Sequence, residues 1–271
     1  MCKKLHPAIH LIFMAITCVV ASSVAAAAAD KPKQGYLPAG FFDIRAVLPP
    51  APAPGDPRYD ADRAIFKITR SLIGSPRWTL ATNDVKTGSA DLMADFSCAV
   101  GISLTPENAP RLKALVETAG RDTGRSSQIA KTHFQRLRPF QIDDGTICQP
   151  KEELAGSYDY PSGHTTWGWT WALILAELAP DRASAILARG RAYGESRIVC
   201  GAHNASAVQY GYMTAAATLA AVHATTKYQA DLTAARTELA ALRKTSTAPD
   251  STTCQAEGAL VLQNIYTADP H

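Results

Sequence analysis

Three short stretches of this 271-residue chain carry side chains that could hold and attack an oxyanion. Tyr160-Pro161-Ser162-Gly163-His164-Thr165-Thr166 reads as a small-residue turn that opens a helix. Such a turn leaves backbone N–H groups unpaired and aims the positive end of the helix dipole at an anion. Ser162 adds a hydroxyl and His164 a titratable donor; the plainer reading is an ordinary helix cap. Ser196-Arg197-Ile198-Val199-Cys200-Gly201-Ala202-His203 also stands just before a long helix. Arg197 offers a planar fork of donors to phosphate or carboxylate; the plainer reading is a structural ion pair. Upstream, Lys131 and Arg138 are seven residues apart, two turns of a continuous helix, which places both on one face. Two such cations are most often simply solvated. Pro139 is expected to end that helix and fix where Arg138 points.

Taken together, Lys131-x6-Arg138-Pro139, then Pro161-Ser162-Gly163-His164, then Ser196-Arg197-x5-His203 resemble the three-part signature of the type 2 phosphatidic acid phosphatase superfamily, which includes the vanadium haloperoxidases. The intervals fit as well: 21 residues separate Pro139 from Pro161, and 31 separate His164 from Ser196. Within that superfamily the small size, an export signal and the run Gly156-Ser157-Tyr158 make the chain similar to the bacterial class A non-specific acid phosphatases, over roughly residues 55–225. It differs in one place there: Asp159 and Tyr160 stand between Tyr158 and Pro161, where that family usually runs straight on.

The resemblance implies an all-α helical bundle with the three motifs meeting at one anion pocket. It implies that His203 attacks phosphorus to form a phosphohistidine and that His164 protonates the leaving alcohol. It assigns Lys131, Arg138, Ser162, the backbone N–H of Gly163 and Arg197 to the phosphate, and requires no metal or other cofactor. The chemistry is coherent without the family. Phosphoryl transfer needs charge neutralised on three equatorial oxygens, a nucleophile, and a proton for the leaving group.

One departure is clear. The third motif usually ends in an Asp four residues after the nucleophile, and here that position is Ala207. The imidazole of His203 thus lacks its expected support. Ser206, Gln209 or a carboxylate from elsewhere, such as Glu195, are candidate substitutes, and a backbone carbonyl is a further one for fixing the tautomer. The leading expectation is a metal-independent acid phosphatase acting on small phosphate monoesters, with phosphotransfer to an alcohol as a variant. Ala207 motivates an alternative, a degenerate phosphate-binding protein with little turnover. A vanadate-dependent haloperoxidase is a further alternative, for which the chain is short.

The elements that must position these residues read as helices. Apolar residues recur at helical period over 60–73 and 110–119, and helices are also expected over 126–137, 165–178, 181–195 and 206–243. Thr105-Pro106 reads as a helix N-cap with Pro at the first position. Residues 140–160 are polar and without period, a long loop of the kind that carries function. No sustained period-2 alternation suggests a strand.

Residues 1–29 read as a secretory signal peptide. Lys3 and Lys4 precede an apolar stretch too short to span a bilayer, and small residues lead to an exit after Ala29. The remaining 242 residues comprise a Pro- and Gly-rich extended N-terminal arm, 30–60, and a single helical domain, 61–271. They contain no membrane span, which places the mature protein in the periplasm or outside the cell. Cys98, Cys148, Cys200 and Cys254 remain, suited to disulfides in an oxidising compartment. Zinc is the rival reading, but no Cys-x-x-Cys or His-x-x-x-His spacing occurs in the mature chain. Of the three pairings open to four cysteines, the expected one joins Cys148 to Cys200, which flank the same proposed pocket, and leaves Cys98 with Cys254. With 46% hydrophobic residues, 19% charged and a net charge of +3, the chain is neither disordered nor built for nucleic acid. Self-association into a homo-oligomer stays open.

Overall fold

The structure is a computed structural model that describes Met1 and residues 34–267, so the expected signal peptide lies outside the described residues. The helices among them are α1 (Pro57–Thr69), α2 (Pro76–Asn83), α3 (Ser89–Val100), α4 (Pro110–Phe134), α5 (Gly163–Leu178), α6 (Ala183–Val199), α7 (Ala205–His223), α8 (Thr226–Thr245) and α9 (Ser251–Leu262). Short 3-10 turns join several of them, and no strand occurs among the described residues. The all-α expectation therefore holds. No described helix is long and apolar enough to cross a membrane.

α5 is the central helix because it is apolar nearly all round. Trp171, Ala172, Ile174 and Leu175 are fully buried, and α4, α6 and α7 pack about it. The α5–α6 approach depends on Gly168, where a Cβ would fall 2.2 Å from the ring of Tyr193. Leu112, Leu115 and Val116 of α4, Phe96 of α3 and Leu232 of α8 complete the largest apolar cluster.

α4 corrects three expectations. Helices expected over 110–119 and 126–137 are one continuous element, because Gly120 sits where a Cβ would fall 2.2 Å from Trp167 of α5. That glycine answers to tertiary packing, and it does not break the helix. Nor does Thr105-Pro106 open α4. Thr105 closes a turn with Asn108, and the helix begins at Pro110, where the Glu238 carboxylate of α8 accepts from the N–H groups of Arg111 and Leu112 at 2.9–3.0 Å. At its other end α4 stops at Phe134, and Gln135 takes a left-handed conformation, φ 48°. Arg138 is therefore off the helix, and Pro139 starts the following 3-10 turn without ending α4.

The helix expected over 206–243 is two, α7 and α8, interrupted where Thr225 caps α8. α2, α3 and α9 were not foreseen. The arm is folded down on the body. Its Tyr36 N–H donates to Asp122 at 2.6 Å, and Ile44 and Leu48 pack with Tyr160 and Ala207. The last residues expected in the arm already belong to α1, which Asp56 caps. Both disulfides are the expected pairs: Cys98–Cys254 joins α3 to α9, and Cys148–Cys200 ties the 140–160 loop to the end of α6.

Candidate active site

Lys131, Arg138, Gly163, His164, Arg197 and His203 line one cavity of about 420 Å³. Each arrives from a helix end or a turn. Lys131 sits in the last turn of α4 and donates from Nζ to Ser157 Oγ at 3.0 Å and to the Tyr158 carbonyl. Burial, with Arg138 and Arg197 nearby, pushes its ammonium down to about 7. The left-handed turn at Gln135 swings the chain so that Arg138 points back beside it. Arg138 Nε donates to the Ser157 carbonyl at 2.7 Å, and Nη1 to the Ala202 carbonyl at 2.8 Å.

α5 begins at Gly163, with Ser162 as its N-cap. Ser162 does not line the cavity. It is fully buried, and its Oγ accepts from the N–H and hydroxyl of Thr165. What it does is hold the first turn so that the Gly163 backbone faces the cavity. His164 follows, stacked on Tyr193 with ring centres 4.8 Å apart. Its Nε2 donates to the Asp84 carbonyl at 2.5 Å, which leaves Nδ1 as the atom that gains or loses a proton. Burial first, and then Arg197 and Arg138, hold its pKa well below the ordinary imidazole value.

Arg197 ends α6 almost fully buried. One terminal nitrogen donates to Gln149 of the disulfide-tied loop, while Nε and Nη1 have no partner. His203 lies in the turn between α6 and α7. Its Nδ1 is 2.9 Å from Asp159 Oδ1, and its Nε2 is 3.0 Å from Arg138 Nη1. Burial and the surrounding cations keep it, too, well below the ordinary value. Burial pushes the Asp159 carboxyl up to about 6, against the pull of Arg136, Asn204 and Arg138.

None of the three substitutes named for an acid at 207 touches His203; the carboxylate from elsewhere that does is Asp159. Ser206 is bonded to Asp62 and Arg136, Glu195 pairs with Arg191, and Gln209 is exposed. Three residues of the site escaped sequence reasoning. Asp159 is one. Ser127 lines the cavity one turn before Lys131, with a buried Oγ that has no partner. Gln149 occupies Arg197. Only Asp159 had left a signal, as one of the two extra residues before Pro161.

Three cations, a helix N-terminus and two imidazoles around one cavity can bind a tetrahedral oxyanion, attack it and protonate what leaves. The family model for the PAP2 superfamily matches residues 114–231, a span that contains every one of these side chains. An acid phosphatase of Zymomonas mobilis is 44% identical over 79% of this chain and 82% of its own. The chain belongs to the PAP2 superfamily. Other PAP2 relatives are non-specific acid phosphatases of Salmonella typhimurium, 35% identical over 75% of this chain and 83% of its own, and of Providencia stuartii, 33% identical over 79% and 88%.

Proposed function

We propose that this PAP2 protein is an exported acid phosphatase that hydrolyses phosphate monoesters through a phosphohistidine on His203. The observation that carries the reading is the setting of His203. A hydrogen on Nδ1 facing Asp159 leaves the Nε2 lone pair beside Arg138 in a cavity rich in cations. Lys131, Arg138 and Arg197 hold the phosphoryl oxygens, joined by the Gly163 N–H at the start of α5 and the free hydroxyl of Ser127. Ser162 acts behind them by fixing that first turn.

In the first step Nε2 bonds to phosphorus, the bond from phosphorus to the ester oxygen breaks, and His164 Nδ1–H gives its proton to the departing alkoxide. In the second, His164 accepts a proton from water, the hydroxide attacks phosphorus and the P–N bond breaks, returning neutral His203 and phosphate. An alcohol in place of water makes the same step a phosphotransfer. The three cations and the helix terminus act where charge develops, which is where stabilisation counts most.

The test is a quench of enzyme with labelled p-nitrophenyl phosphate, with and without chelator. Wild type should give an acid-labile, base-stable phosphoenzyme and turn over equally in both. His203→Ala should give neither phosphoenzyme nor turnover yet still bind phosphate. Wild-type turnover by His203→Ala would overturn the reading. Export is checked by the N-terminus of the mature protein, expected at Asp30.

A further inference from the structure

Ala207, in the first turn of α7, stands four residues after His203, where the family pattern carries an acid, and its surroundings here are apolar. Ala207 is fully buried against Tyr160, Ile44, Leu48 and Ala130, and its carbonyl accepts from the Ser162 N–H at 2.9 Å. We propose that Asp159 is the carboxylate that positions His203 and stabilises the cation formed on it, so that this role is filled from the loop before α5 and not from α7. The proposal rests on the phosphohistidine reading above.

Donors face the Asp159 carboxylate. Oδ1 accepts from the Asn204 N–H at 3.2 Å, and Oδ2 faces Asn204 Nδ2 at 2.9 Å and Arg136 Nη1 at 3.5 Å. Oδ1 is also 2.9 Å from His203 Nδ1. Arg138 Nη1, which can only donate, stands 3.0 Å from His203 Nε2, so Nε2 is the bare nitrogen and the nucleophile, and Nδ1 carries the hydrogen that faces Asp159.

The segment is built to hold this geometry. The Asp159 N–H donates to the Arg136 carbonyl at 2.9 Å, and Arg136 is itself clamped by Asp62 at 2.7 Å. Tyr160 next to it is buried edge-on to Phe134 and donates its hydroxyl to the Pro49 carbonyl. The two extra residues thus work as a pair. One supplies the carboxylate, and the other anchors the segment and fills the space beside position 207. When phosphorus bonds to Nε2 the ring becomes cationic, with its Nδ1–H donated to a carboxylate at 2.9 Å.

Asp159→Asn separates positioning from mere structure. Asn204 Oδ1 is buried without a partner, so its amide can turn over and accept from the new NH2 group. The variant then keeps the contacts of Oδ1 to His203 and the Asn204 N–H, and loses the charge and the acceptor that faces Arg136 Nη1. Phosphoenzyme formation in a single turnover should slow by roughly 10²- to 10⁴-fold, as when a triad carboxylate is neutralised. The inhibition constant of inorganic phosphate should stay within about threefold, since the groups assigned to the phosphate are untouched. A structural role would lower phosphate affinity and Tm together with the rate.

Nitrogen-15 NMR of the wild-type histidines at neutral pH tests the same claim without a mutation, expecting His203 protonated at Nδ1 and bare at Nε2. The groups facing that ring are Asp159, Arg138, Lys131, Arg197 and His164. A wild-type rate in Asp159→Asn, or a bare Nδ1 in the spectrum, overturns the proposal. If His203→Ala is dead while Asp159→Asn is fully active, this inference alone fails. If His203→Ala is active, the phosphohistidine reading fails with it.

Discussion

Lys131 shows how strongly a single side chain can be tuned by the residues that meet it. Its ammonium is buried in a cavity shared with two guanidinium groups and stands near 7 in the free enzyme. A bound phosphate dianion brings opposite charge within contact distance and raises it again. Between pH 7 and the ordinary lysine value the complex therefore holds a proton that the free enzyme has lost. Calorimetry of phosphate binding at pH 8, in buffers of different ionisation enthalpy, should show proton uptake; a heat independent of buffer would contradict this. The pH profile follows in the same direction. His164 must be protonated to serve the leaving group, and its pKa in the free enzyme is held low. kcat/KM should thus already be falling with rising pH below the ordinary imidazole value of about 6.5, and fall again at low pH as Asp159 and His203 take up protons. The two limbs belong to the coupled set and not to single residues. A rate that climbs steadily to about pH 9 would count against two-histidine chemistry. At position 207 the expectation changes sign. An added acid would help only a His203 without a partner, and His203 has Asp159. Ala207→Asp puts a carboxylate into an apolar cluster and should lower Tm without speeding phosphoenzyme formation.

At the scale of elements, the close approach of α4 to α5 depends on Gly120. On an exposed helix Gly→Ala gains about 1 kcal/mol of propensity. Here the new Cβ would fall 2.2 Å from Trp167, whose ring is boxed in by Trp171 and by its own bond to the Thr87 carbonyl. Overpacking costs about 1–3 kcal/mol, so Gly120→Ala should destabilise, with a lower Tm and a lower denaturant midpoint. The loop between α4 and α5 makes the opposite kind of prediction. Gln149 accepts from Arg197 Nη2 in the free enzyme, so a phosphate oxygen competes with it for that nitrogen, while Nε and Nη1 stay open. Bonds to charged groups contribute about 1.5–3 kcal/mol, part of which the competition removes from ligand affinity. Gln149→Ala should therefore tighten inorganic phosphate two- to tenfold, on the order of 1 kcal/mol. A weaker inhibition constant would mean that Gln149 turns its amide toward the ligand.

For the whole molecule the two disulfides do different work. Cys98–Cys254 spans 156 residues and staples α9, in which only Val261 is buried, onto α3, beside a pocket separate from the cavity of the site. Cys148–Cys200 spans 52 residues and holds Gln149 beside Arg197. Loop-closure entropy gives upper bounds of about 5 and 4 kcal/mol. Replacing the first pair by serine should lower Tm and leave KM unchanged at 25 °C, whereas replacing the second should lower Tm and change KM as well. Equal effects on KM would contradict this division.

Much of this was legible in the amino-acid order because it depends on local chemistry. Helical periodicity follows from side chains three and four apart meeting one apolar surface, and the central helix is visible as a run of apolar residues. The three motifs could be read because an oxyanion site needs cations, a helix start and imidazoles, whatever holds them. Tertiary structure decided the rest. Gly120 falls in the gap between the two expected helices until α5 is laid against it, since only the ring of Trp167 shows why a Cβ is missing there. Arg138 reaches the cavity by a left-handed turn at Gln135, so its spacing from Lys131 is not helical. The partner of His203 is 44 residues away in sequence, beyond any local rule. A hydrogen bond needs an acceptor at about 3 Å and is indifferent to which segment brings it, so only the folded chain shows that Asp159, not residue 207, stands there.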